Sequence, residues 1–98
     1  MADLDRFGKI MKAIASALVE SAAFLALTPD DLINPDSAMQ ALESIAYCFD
    51  IASEEEKKAV LDYCQEKAAA LCDARTQQER TRKDFYLGFG VSFGILDE

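Results

Sequence analysis

The sequence predicts an all-α fold, an antiparallel bundle of three to four helices. Apolar residues recur at steps of three and four along most of the chain, the period of a helix with one buried side. The only prolines, Pro29 and Pro35, lie close together and interrupt that pattern once. Only the last segment alternates like a strand, and no other segment offers it an edge to pair with. At 98 residues and 51% apolar content, one domain spanning 1–98 is expected, with a core thin enough to favour a homo-oligomer.

The first helix is expected over about residues 3–27. Leu4, Phe7, Met11, Ile14, Leu18, Ser21 and Leu25 form a near-heptad seam, widened by Ile10, Ala17 and Phe24. The many alanines favour helix and let a neighbour approach closely. At 1.5 Å per residue the helix is roughly 35 Å long, which suits a bundle. Pro29 ends it near Thr28, with Leu32 and Ile33 expected to anchor the following loop. Asn34-Pro35 is a start signal for the second helix, about 35–52, whose apolar line is Met39, Leu42, Ala46 and Phe49.

Ser53-x-x-Glu56 is a capping box, and Glu54, Glu55 and Glu56 place negative charge where the helix dipole favours it. The third helix is read from there to about residue 83, with Val60, Leu61, Tyr63, Cys64, Ala68, Leu71 and Cys72 on or beside its apolar side. "RTQQERTRKD" at 75–84 contains no glycine or proline, so helix is expected to run through it, supported by Arg75–Glu79 and Glu79–Lys83 pairs.

The closing stretch, 85–96, fits two periods. Phe85, Leu87, Phe89, Val91, Phe93 and Ile95 alternate as in a strand, which would have to pair with a twin or a partner. Phe85, Phe89, Phe93 and Leu96 also share one side of a helix. Helix is preferred because no sheet exists elsewhere, and Gly90 and Gly94 would let a neighbouring helix pack closely. On either reading the rings of Phe85, Phe89 and Phe93 must be covered, by the chain's own core or by a partner or dimer seam.

The net charge is −8, unevenly spread. No Lys or Arg lies between Lys12 and Lys57, an interval that contains Glu20, Asp30, Asp31, Asp36, Glu43, Asp50, Glu54, Glu55 and Glu56. Direct nucleic-acid binding is disfavoured, because it rests on counterion release by basic side chains. An acidic surface instead suits a protein partner with a basic surface, although solubility alone also explains acidity.

Cys48, Cys64 and Cys72 lack CxxC spacing and are odd in number, which favours buried free thiols in a reducing, cytoplasmic setting over a disulfide scaffold. Asp3 and Asp5 stand where a signal peptide would carry basic residues, and charges are expected to interrupt every candidate membrane span. Without histidine, Ser–His, Cys–His and Cys/His–zinc arrangements are excluded. No phosphate-binding loop or calcium-loop spacing appears, so no cofactor or metal is expected.

The resulting expectation is a non-enzymatic binding protein of inhibitor or immunity type. Its partner contacts would be Asp30, Asp31, Asp36, Glu43 and Asp50. The alternative is a homo-oligomeric assembly adaptor or chaperone-like protein that uses its apolar C-terminal segment.

Overall fold

A computed structural model describes residues 2–96, and side chains from Gly8 onward. Four helices follow in order: α1 Ala2–Leu27, α2 Pro35–Ile51, α3 Glu54–Ala70 and α4 Gln77–Ser92. There is no strand among the described residues, so the all-α bundle is the architecture and the closing segment is helical as far as Ser92.

Local chemistry fixes the starts of α2, α3 and α4 and the end of α4. Asn34 caps α2 by accepting from the Ser37 amide at 3.0 Å, with Pro35 opening the helix. Ser53 and Glu56 form the capping box of α3: the Glu56 amide donates to the Ser53 hydroxyl at 3.1 Å, and the Ser53 amide to the Glu56 carboxylate at 2.8 Å. That carboxyl is held below its usual range by these bonds.

Helix does not run on from 54 to 83. α3 ends at Ala70, a turn occupies 71–73, and a second capping box, Thr76-x-x-Glu79, starts α4. The Glu79 amide donates to the Thr76 hydroxyl at 3.0 Å, and Glu79 accepts from both Thr76 groups. Glu79 is thereby committed to the cap, and the expected Arg75–Glu79 and Glu79–Lys83 pairs are absent among the described residues. α4 stops in a Schellman turn. The Ile95 amide donates to the Gly90 carbonyl at 2.8 Å and the Gly94 amide to the Val91 carbonyl at 3.2 Å, with Gly94 at φ +75°.

α3 and α4 form an antiparallel hairpin: Leu61 meets Gly90 near one end, and Tyr63 and Tyr86 converge on one carboxylate further along. A Cβ at Gly90 would come within 2.8 Å of Leu61, so the expected close helix approach is found there. Gly94 instead has nothing within 4 Å of a built Cβ, and its role is the helix stop. α1 lies across the hairpin and α2 packs on α1.

Val19, Phe49, Val60, Tyr63, Tyr86 and Phe89 anchor the core. Phe89 is buried, stacked on Phe93 at 4.3 Å between ring centres and edge-on to Phe49 and Phe85 at 6.0 and 5.6 Å.

The buried side of α1 corrects the sequence reading. It is Ala15, Val19, Ala22 and Ala23, one residue position away from the expected seam. Ile14 and Phe24 are 64% and 61% exposed. Leu4 and Phe7 lie outside the described side chains. Small residues face the hairpin because its backbone comes close enough for Tyr63 and Tyr86 to reach Glu20 of α1. Leu32 is exposed, so Ile33 alone tucks the loop inward. Of the three thiols only Cys64 is buried; Cys48 and Cys72 are exposed.

Gly8–Leu27 of α1 is, by length and a mean hydropathy of 1.7, long and apolar enough to cross a membrane. This corrects the expectation that charge interrupts every such stretch. Lys9 and Lys12 sit at one end, and Glu20 stands alone in the remainder.

Candidate protein-binding surface

α2 buries Ala38 and Phe49, with Leu42 and Ile45 packed beside them. At 100° per residue the opposite side carries Asp36, Glu43 and Asp50, each two turns from the next. All three are exposed. Among them stand Met39 and Tyr47, at 57% and 64% exposure, and Gln40. Asp30 and Asp31, also exposed, occupy the turn that leads into this helix. None of the five acids pairs with a Lys or Arg among the described residues. Beside Tyr47, a shallow depression of about 410 Å³ is lined by Glu43, Ala46, Asp50 and the end of α4 at Ser92, Phe93 and Gly94. The arrangement is a row of unpaired carboxylates around two large side chains of the kind that anchor protein interfaces.

The chain matches no family model, no curated protein and no solved structure.

The closing aromatics are placed differently from the acids. Phe89 is inside the protein's own core, and Phe85 and Phe93 are half-buried against it. Their apolar area is covered by Phe49 and by one another, which leaves Leu87 and Val91 as the exposed apolar residues of α4.

One constellation escapes inspection of the sequence. Glu20, Tyr63, Tyr86 and Arg82 converge from α1, α3 and α4. The Tyr63 and Tyr86 hydroxyls donate to the same Glu20 oxygen at 2.8 and 2.6 Å. Arg82 forms an ion pair with the other oxygen, and its Nε donates to the Tyr86 hydroxyl at 3.2 Å. Burial pushes the Glu20 carboxyl up, but the two phenols and the Arg82 charge outweigh it, so the net shift is downward. Burial, then Glu20, pushes the Tyr86 phenol up to about 12. Burial and Glu20 likewise push the Cys64 thiol up to about 11, which leaves it protonated and unreactive at neutral pH.

The cluster is a mutually satisfied tie between three helices, with both phenols almost fully enclosed. The signal that could have revealed it is Glu20 itself, a single carboxylate in an apolar run, which needs a cationic or donor partner if it is covered. No group of three or more His, Cys, Asp or Glu residues placed to hold a metal ion occurs among the described residues.

A second concavity, about 330 Å³, lies between α1, the end of α2 and the start of α3. Met11, Ile14, Leu18, Phe49, Ile51 and Val60 make it apolar, with the Cys48 thiol at its wall. The only carboxylate in its lining, Glu56, is already engaged as the α3 cap.

Proposed function

We propose that the chain is a non-enzymatic binding protein that offers the acidic side of α2, with Asp30 and Asp31, to a basic surface on another protein, in the manner of an inhibitor or immunity protein. The observation that carries this reading is the row Asp36, Glu43 and Asp50, exposed around Tyr47 and Met39 and unpaired among the described residues. Exposed carboxylates raise the rate of encounter with a basic partner, and the tyrosine supplies rigid contact area once docked. Solubility accounts for the charge and amphipathicity for its place on the outer side of the helix, but neither asks for the large side chains between the acids.

Two doubly reversed variants with the same net charge test the proposal. Glu43→Lys/Asp50→Lys alters the α2 surface, whereas Asp73→Lys/Asp84→Lys alters exposed acids elsewhere. Each is immobilised beside the wild type and challenged with extract of the source cells at low and high salt. Proteins that lose retention with the α2 variant and with Tyr47→Ala, but not with the control variant, support the reading. Equal loss on both charge variants, or on neither, defeats it.

A further inference from the structure

α1 carries a second apolar line, diametrically opposite the side it buries. Ile10, Ile14, Ala17, Ser21 and Phe24 are all exposed and step by four, three, four and three residues. That is the spacing of a helix–helix seam, and nothing in the described chain covers it. We propose that the occupant is a second copy of this chain, packed antiparallel on α1 about a two-fold axis at Ala17.

The order of side-chain sizes points to self-association. Reversed about Ala17, the line places Ile10 against Phe24 of the partner subunit and Ile14 between Glu20 of the partner subunit and Ser21 of the partner subunit. Large side chains thus meet at both ends, a knob sits beside a small residue between, and alanine meets alanine at the centre. Ile14 is 64% exposed, and a shallow depression lined by Ala17, Glu20, Ser21, Phe24 and Leu25 is present to receive it. An isologous contact requires such self-complementarity, because one patch must serve as both sides.

Charge points the same way. Two molecules of net charge −8 repel each other over most of their surface. Between Ala13 and Leu27 the only charged residue is Glu20, whose carboxylate is already bound to Arg82, Tyr63 and Tyr86. The one carboxylate bordering this line is thus already paired with a cation, so two acidic copies can meet here with less repulsion than elsewhere.

A bilayer is the rival cover for so apolar a helix. Spanning one would strip Glu20 of its three partners and carry a carboxylate into hydrocarbon, at a cost of several kcal/mol. It would also break the Lys12–Glu66 ion pair at 3.2 Å. The second copy needs neither change.

The test is sedimentation velocity of the full chain over a dilution series, with helix content followed by circular dichroism. The wild type is expected to dimerise. Ala17→Glu and Ile14→Ser, both at exposed positions, are each expected to raise the dimer dissociation constant at least about tenfold with helix content unchanged. In a Cys48→Ser/Cys72→Ser background, Ala17→Cys lies on the axis and should form a disulfide-linked dimer under air. Ala13→Cys, one turn off the axis, should not. A monomer at every concentration, a dimer indifferent to both seam variants, or co-flotation of the wild type with phosphatidylcholine vesicles would each overturn the proposal.

Discussion

Gly94 shows how much one residue decides. Its φ of +75° lies where a Cβ meets the following carbonyl oxygen, and the Schellman bonds that end α4 depend on it. Gly94→Ala should destabilise the fold by about 1–2 kcal/mol in urea titration. At Tyr86 the effect is read through pH. Its phenol is raised from 10.0 to about 12, first by burial and then by Glu20. An acid raised on folding lends stability that is complete below pH 10 and is lost as pH climbs toward 12. Tyr86→Phe should therefore reduce the fall in stability across that window. Glu20 has the opposite sign: its carboxyl is lowered from 4.5, so its contribution is present above that value and is lost as pH falls below it. Glu20→Gln should flatten the acid limb of the stability profile. The sequence shows Glu20 as a lone charge, but its partners lie 43 to 66 residues away and only folding brings them together.

At the scale of elements, the start of α3 is legible because its cap, its acidic first turn and the apolar line that follows all agree. Thr76-x-x-Glu79 has the same chemistry, but the polar stretch around it contains neither a breaker nor an apolar line, so uninterrupted helix is the simpler reading of 54–83. The break matters: it folds α4 back along α3 and brings Arg82 and Tyr86 to Glu20. Removing this cap with Thr76→Ala should cost about 1 kcal/mol, measured by thermal unfolding. The face of α1 is misjudged for a different reason. Leu and Ile outrank Ala on any transfer scale, yet close packing against the hairpin selects Ala15, Ala22 and Ala23. Hydrophobicity identifies α1 as amphipathic, but which side it buries depends on the separation of its neighbours.

For the whole molecule, the closing aromatics hold the fold together. Phe89→Ala should cost about 3–5 kcal/mol in urea titration, a large share of a small domain's stability. Removal of residues 85–98 takes away Tyr86 and Phe89 together and should abolish the cooperative unfolding transition. The class of fold is legible from period and proline placement, and so is the acidity of the α2 region. That Asp36, Glu43 and Asp50 share an outward side with Tyr47 follows once Phe49 is seen to be the residue α2 buries.

α2 differs from its neighbours in how it is attached. Lys12 with Glu66, and Glu20 with Tyr63, Tyr86 and Arg82, join α1, α3 and α4, whereas among the described residues no side-chain hydrogen bond or ion pair links α2 to another helix. It is retained by Phe49 and its apolar flanks alone, contacts without direction that weaken together once the ring leaves its slot. α2 should therefore part from the rest more readily than α3 does, without global unfolding. Its amides should exchange with deuterium ahead of those in α3.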